Sequence, residues 1–435
     1  MRFRLAVFVT LAVNATSRRL GRGQGTVAGG RSGLKVDPQL LAHLSASRQV
    51  ALVTGTNGKT TTTRLLALAL AAQGAEVVSN ETGSNMPPGL VAALAGDRHA
   101  ARAALEVDEI YLPRVLAATK PSVVVLLNLS RDQLDRTNEV RMVSGHWRAA
   151  LAAAPRATVV ANADDPLVVW AAGAAAKVSW VGAGLRWQLD AVGCPSCEGR
   201  IAFDAAGSWA CATGCGFERP VPTATLLSPE PEAAGYRGLW DDGRSEPIPL
   251  LLPGRFNHAN ALMAAVAAES LGVPASVGLA AMATVDQVAG RFTVRVVDGV
   301  QIRLMLAKNP AGWSELLDLV AHDEGPIVIS INARTADGAD PSWLWDVPFE
   351  RLSERVVVAS GDRCRDLSVR LHYAGVTHMM EEDPLAALRC AHGGGAEGGD
   401  AGGPARTRVA RVDVIGNYTA FNELLGVSAR PDNGS

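Results

Sequence analysis

From residue 50 to about residue 186, short apolar runs alternate with stretches whose apolar residues recur at helical spacing. Runs over 75–79, 101–107, 122–128 and 157–161 read as strands, and 60–72, 87–95, 140–153 and 166–176 read as helices. Continuous Val- and Leu-rich runs imply strands buried on both faces, so the alternation predicts a mostly parallel sheet covered by helices on both sides. A second α/β pattern begins after residue 291 with runs over 294–297 and 302–306, and closes with a strand over 409–415 and a helix over 418–425. In such sheets ligands bind beyond the carboxyl ends of the strands, so the polar residues after each run matter most.

The intervening stretches break this pattern in different ways. The apolar run 5–13 after Met1-Arg-Phe-Arg4 imitates a short secretory signal, but it is too short to span a bilayer and is expected to form a buried or interfacial helix. Arg18, Arg19, Arg22 and the Gly-rich segment 21–33 read as a basic, flexible lead-in suited to anionic lipid or phosphate, or simply as a solvated linker. A Pro- and Glu-rich stretch over 220–249 separates two patterned regions, and the Gly-rich 391–408 reads as a flexible insertion. The expected division is an N-terminal segment 1–48, a nucleotide-binding domain 49–291 and a C-terminal domain 292–435.

With 435 residues the chain has room for two or three full cores. A net charge of −2 provides no global field for nucleic acid or an acidic membrane. Composition thus supports a soluble α/β protein and leaves its chemistry to local motifs.

The central motif is the run Val50-Ala-Leu-Val-Thr54 followed by Gly55, Thr56, Asn57, Gly58, Lys59, Thr60 and Thr61. A strand entering a Gly-rich corner that opens a helix presents backbone N–H groups to a polyphosphate. Lys59 would reach its terminal phosphates and Thr60 would hold Mg²⁺, so ATP is the expected cofactor. Val53 stands where the usual loop has its first glycine. Past the strand residues Ala101–Leu105 come Glu106, Asp108 and Glu109; Glu106 is the expected Mg²⁺ ligand, and the other two read as solvated loop carboxylates. The polar cluster 128–136 and Asn162-Ala-Asp164-Asp165-Pro166 follow two further strands, and Asp164 or Asp165 can cap the helix that starts at Pro166. Asn257, near a later helix start, is a cap or a reader of an adenine edge.

Cys194-Pro-Ser-Cys197 and Cys211-Ala-Thr-Gly-Cys215 form two knuckles with spacing suited to a tetrahedral Zn²⁺ site. Four thiolates leave no open position, so the metal is expected to be structural, and cytosolic ATP chemistry disfavours disulfides. The second knuckle has one more intervening residue than usual. Cys364 and Cys390 read as small buried hydrophobes.

Taken together, Thr54–Thr60, 128–135, 162–165 and Gly254-Arg-Phe-Asn257-His-Ala-Asn260 resemble, in order, the central ATPase domain of the Mur ligase family. The four-Cys insertion, Ala307-Lys308-Asn-Pro-Ala-Gly312, the loop Asp337–Asp346 and Asn417-Tyr-Thr-Ala-Phe-Asn422 are similar to the branch of that family whose members work with a GatD-like glutaminase subunit. The resemblance implies a Mur-ligase-type ATPase domain with an inserted zinc ribbon at about 190–220, plus a smaller α/β C-terminal domain. It implies a carbon–nitrogen ligase using glutamine as amido donor. The α-carboxyl of D-Glu in the lipid II stem peptide would be activated as an acyl phosphate and captured by ammonia from the partner. It further implies that Asn257 holds adenine, that Asp164 or Asp165 lies near the ribose, and that Lys308 or Arg291 completes the phosphate clamp. An Asp on the 337–346 loop, Asp340 before Asp337, would complete a Cys-His-Asp triad in the glutaminase. The expected setting is the cytoplasm, with at most peripheral contact with the inner face of the membrane.

One departure is that residues 137–155 contain no Lys, whereas amino-acid-adding members carry a carbamylated Lys on the corresponding helix. Two other readings compete: a Mur- or folylpolyglutamate-type ligase adding an amino acid without a glutaminase, and a module whose Cys ribbon binds nucleic acid. Few basic or aromatic residues interleave the ribbon, Arg200, Trp209 and Arg219 among them, a weak nucleic-acid footprint, so no nucleic-acid partner is expected.

Overall fold

The computed structural model describes residues 2–20, 26–80, 84–131, 140–229, 235–288, 290–321, 323–393 and 411–428. Residues 132–136 of the polar cluster, Arg22, most of the 391–408 insertion and the start of the expected 409–415 strand lie outside these. The chain divides into two compact units, one of residues 1–130 and 138–286, the other of 131–137 and 287–435.

The first unit opens with helices α1 (Arg2–Arg19), α2 (Thr26–Val36) and α3 (Leu40–Ser45). The alternation that follows is strand β1 (Gln49–Thr54), α4 (Lys59–Ala71), β2 (Val77–Ser79), α5 (Pro87–Gly96), β3 (Arg102–Glu106), α6 (Leu112–Thr119), β4 (Val123–Leu126), α7 (Val140–Ala152), β5 (Thr158–Asn162), α8 (Pro166–Ala172) and β6 (Lys177–Gly182). A two-stranded ribbon of β7 (Ile201–Phe203) and β8 (Trp209–Cys211) precedes β9 (Ala224–Leu227), β10 (Arg237–Trp240) and β11 (Ser245–Pro247), and helices α9 (Arg255–Glu269) and α10 (Ala275–Met282) complete the unit.

Nine strands form one sheet in the order β11-β10-β9-β6-β5-β4-β1-β3-β2. All neighbours from β2 to β9 are parallel, and β10 and β11 are added antiparallel at one edge. The central strands are wholly buried, as their unbroken Val and Leu runs require. Strand β1 lies between β3 and β4, so the chain passes from one side of β1 to the other, and the crevice at the ends of these three strands is where a ligand site is expected.

Two expectations are corrected here. The Gly-rich lead-in is helical from Thr26 onward, and its glycines serve close approach: a Cβ on Gly30 would lie 1.8 Å from the Pro88 carbonyl oxygen, and one on Gly33 would lie 2.0 Å from Thr10 Oγ1. The Pro- and Glu-rich 220–249 stretch is not a plain separator, since β9–β11 extend the sheet within it. The described prolines of the stretch sit outside the ladders or, like Pro247, in the edge strand β11, where a missing N–H costs little.

The second unit forms a six-stranded sheet, β12 (Phe292–Val297), β13 (Val300–Leu306), β14 (Ile327–Ser330), β15 (Val357–Ser360), β16 (His378–Met380) and β17 (Val412–Gly416), in the order β12-β13-β17-β14-β15-β16. Its helices are α11 (Pro310–Val320), α12 (Cys364–Tyr373), α13 (Pro384–His392) and α14 (Tyr418–Ser428). β12 and β13 form an antiparallel hairpin through Asp298 and Gly299, both at positive φ, the pairing that suits strand twist in a two-residue turn. The remaining pairs are parallel. Within the sheet Arg303 of β13 makes a bidentate pair with Asp413 of β17 at 2.9 and 2.8 Å, and Arg355 approaches the same carboxylate at 3.4 Å. Three charges are thus buried together, each requiring its partners.

Candidate active site and metal centre

The loop after β1 is held in shape by its neighbours before any ligand is considered. Gly55 and Gly58 have φ of +143° and +86°; a Cβ on Gly55 would meet Leu127, and one on Gly58 would come within 2.7 Å of Asn260 Oδ1. The loop therefore sits against the exit of β4 and the first turns of α9, and only glycine fits that approach. Asn128 binds it reciprocally: Asn57 N–H donates to Asn128 Oδ1 at 2.9 Å, and Asn128 Nδ2 donates to Asn57 O at 3.1 Å. Thr56 Oγ1 donates to Ser130 O and accepts from Ser130 N–H, both at 3.0 Å. α4 then starts at Lys59 with no side-chain cap, so its first N–H groups face the loop as an anion site.

Lys59 is buried and folded back over this loop. Its Nζ donates to Gly55 O at 2.5 Å and Thr56 O at 3.1 Å, and pairs with Glu109 Oε2 at 2.9 Å. Glu109 is therefore not the solvated loop acid expected of it; it is the counter-charge of the loop lysine. Asp108 does behave as a turn residue, accepting from Ile110 N–H at 3.1 Å. Thr60 and Glu106 meet as expected, with Thr60 Oγ1 donating to Glu106 Oε2 at 2.8 Å and Asn85 Nδ2 reaching Glu106 Oε1 at 3.1 Å. Asn80 brackets the Glu106 backbone at 2.8 and 2.9 Å, which fixes where that carboxylate points. A hydroxyl and a carboxylate side by side are hard oxygen donors of the kind Mg²⁺ takes.

The acids after β5 hold the fold. Asp165 Oδ1 caps α8 by accepting from Leu167 and Val168 N–H at 2.9 and 3.2 Å, while Oδ2 accepts from Leu129 N–H at 2.8 Å. It is wholly buried, and desolvation pushes its pKa up to about 6 against the opposing pull of those three N–H groups. Asp164 pairs with Arg219 Nε at 2.6 Å and accepts from Gly184 N–H at 2.6 Å. Both carboxylates are thus engaged in the framework around the site. Asn257 lies inside α9 rather than at its cap, which is Gly254, and its Nδ2 donates to Pro253 O at 2.6 Å. His258 beside it stacks on Tyr236 with ring centroids 4.1 Å apart, and burial lowers its pKa. Asn128 and Asn260 are site residues that sequence reasoning left unassigned although both lie inside quoted motifs, and Glu109, read as a solvated loop acid, gave no sign of its pairing with Lys59.

The four cysteines converge. Their sulfur atoms all lie within 4.8 Å of one another, with Cys194–Cys215 at 3.7 Å and Cys197–Cys211 at 3.4 Å. A tetrahedral site with arms of about 2.3 Å has edges of about 3.8 Å, so the cluster has the dimensions for one four-thiolate metal ion. Within the longer second knuckle, the Thr213 hydroxyl lies 3.1 Å from Cys197 Sγ and 2.9 Å from Cys211 Sγ. Trp209 docks the ribbon on the first unit by donating from Nε1 to Ala163 O at 3.1 Å.

In the second unit, Asn309 caps α11 by accepting from Gly312 N–H at 2.9 Å; Lys308 just before it and Arg291 just before β12 are half-buried. Asp337 is buried and caps α14, accepting from Thr419 N–H at 2.9 Å and from its hydroxyl. Asp340 is exposed, with one carboxylate oxygen accepting from Ser342 N–H at 2.8 Å. Trp343 is a core residue stacked beside Trp313, whereas Trp345 is 56% exposed next to Tyr373. Cys364 is buried as expected and Cys390 only partly so.

The chain matches the models of two domains of the Mur ligase class, the Mur ligase middle domain over residues 53–187 and the MurT ligase C-terminal domain over residues 306–421. Within that class the chain is a homologue of the MurT subunits. It is 29% identical over 396 residues to the lipid II isoglutaminyl synthase (glutamine-hydrolyzing) subunit MurT of Staphylococcus aureus strain COL, covering 86% of this chain and 89% of that one. The subunit MurT of Streptococcus pneumoniae strain R6 is 29% identical over 379 residues, covering 82% and 83%. Among solved structures, the MurF ligase of Thermotoga maritima in complex with ADP has a TM-score of 0.64 at 15% identity over 91% of this chain and 83% of that one, a likeness of fold.

Proposed function

We propose that this chain is the ATP-dependent synthetase subunit of an isoglutaminyl synthase, amidating the α-carboxyl of D-Glu in the lipid II stem peptide to D-isoglutamine in the cytoplasm. The observation that carries the reading is the presence, in one chain, of a structured phosphate loop and a MurT ligase C-terminal domain. Phosphoryl transfer from ATP to a carboxylate requires positioning and charge neutralisation more than it requires a protein nucleophile. The loop N–H groups and Lys59 hold the polyphosphate, and Lys59 exchanges Glu109 for a phosphate oxygen as it does so. Thr60 and Glu106 would hold Mg²⁺, which supplies further neutralisation on the phosphate. Asn257 is assigned to the adenine edge. The acceptor carboxylate takes the terminal phosphoryl group, ADP leaves, and ammonia attacks the acyl carbon and expels phosphate.

Ammonia comes from a GatD-like glutaminase. Asp340, exposed on its loop, is the residue assigned to that partner's catalytic triad, because Asp337 is committed to α14. The four cysteines are assigned a structural Zn²⁺ that locks the ribbon and, through Arg219, the Asp164 corner.

The test is mass spectrometry of lipid II incubated with ATP, Mg²⁺ and this chain, with either ammonium or glutamine plus the glutaminase. Loss of about one mass unit with both nitrogen sources, and with Lys59→Ala inactive but still folded, is the expected result. Addition of a whole amino acid, or turnover that survives Lys59→Ala, overturns it.

A further inference from the structure

Helix α1 buries one face and leaves the other bare. Ala6, Val7, Thr10 and Asn14 turn inward, and the helix packs on α2, α3 and α5. On the opposite side Leu5, Phe8 and Leu11 are 54%, 67% and 39% exposed, spaced so that they share one stripe. Large apolar side chains grouped on a surface mark a binding face more often than scattered ones do.

The charge around this stripe has a single sign. Arg2 and Arg4 stand at one end of the helix and Arg18 and Arg19 at the other, with Arg31 and Lys35 on α2. Residues 1–36 contain no Asp or Glu, and Asp37 is the first acid of a chain whose net charge is −2. Positive charge is therefore gathered here against an otherwise acidic molecule. An apolar stripe between arginines whose stems can lie along it is the arrangement of a helix that rests in a lipid headgroup layer. No described helix is long and apolar enough to cross a membrane. A second copy is a poor occupant, because pairing two such stripes would oppose arginine to arginine.

We infer that α1 is a surface anchor for an anionic bilayer: Leu5, Phe8 and Leu11 enter the boundary between headgroups and acyl chains, and the flanking arginines meet lipid phosphates. The anchor goes beyond the amidation reading; only its purpose, bringing the synthetase to a lipid-linked acceptor, rests on that reading.

The experiment is co-sedimentation of the full chain with vesicles of phosphatidylglycerol and phosphatidylcholine in equal parts, or of phosphatidylcholine alone, at low and high salt. Binding is expected only to the anionic vesicles, weakening with salt, and about tenfold weaker for Phe8→Glu and Leu5→Glu. Both residues are exposed, so thermal unfolding of the variants should match wild type. Failure to bind, equal binding to both vesicles, or binding undiminished in Phe8→Glu would overturn the anchor. So would a dimer in light scattering that Phe8→Glu dissolves. Should vesicle binding hold while ammonium-dependent amidation fails, the anchor stands and the amidation reading falls.

Discussion

Asp165 links two strand exits with one carboxylate, capping α8 and holding Leu129 N–H while fully buried. Its raised pKa gives a signed prediction. The folded state holds the proton more tightly than the unfolded chain, so this group's stabilisation is present below about 3.8 and lost as pH rises through about 6. Comparing wild type with Asp165→Asn in urea unfolding, the difference should move in favour of wild type by roughly 1 kcal/mol between neutral pH and about pH 5. No movement would show that the carboxylate stays ionised in the fold. Lys59, Thr60 and Glu106 were legible as candidates because Lys59 and Thr60 open the helix that follows one apolar strand and Glu106 lies at the end of another. Glu109 was not, since its role depends on a lysine fifty positions away that only the fold brings to it.

At the scale of elements, glycine was the least legible residue. The sequence around 26–33 suggests flexibility, but Gly30 lies where α2 crosses the Pro88 carbonyl. In an exposed helix Gly→Ala stabilises by up to about 1 kcal/mol. Here Gly30→Ala should instead destabilise by about 1–3 kcal/mol, because backbone cannot yield as a flexible side chain can. Chemical denaturation measures the sign directly. The ribbon offers a second prediction at this scale: Cys194→Ser should lose the bound metal and lower the thermal midpoint, read by elemental analysis and calorimetry. A metal-free wild type, or a variant of undiminished stability, would end the structural role assigned to the cluster. The Cys spacing was legible; the Thr213 hydroxyl beside two of the sulfurs was not, because such a contact leaves no spacing signature.

For the whole molecule, the alternation of apolar runs disclosed two α/β units, whereas strand order was invisible to it: nothing local says that β1 lies between β3 and β4. The proposed division of labour with a glutaminase is tested at this scale. Asp340→Asn should leave ammonium-dependent amidation near wild type while reducing glutamine-dependent turnover by roughly 10²-fold or more, as loss of a triad acid does. Equal loss with both nitrogen sources would place Asp340 in the synthetase chemistry instead. In the second unit, β17 lies between β13 and β14 and supplies the carboxylate that Arg303 and Arg355 share. A ribosome delivers this strand after the other five of its sheet. Until it emerges, the sheet has a gap at its centre and two arginines lack their anion, so this unit cannot close before its last strand is made. The β1–β6 core of the first unit, made much earlier, has no such wait.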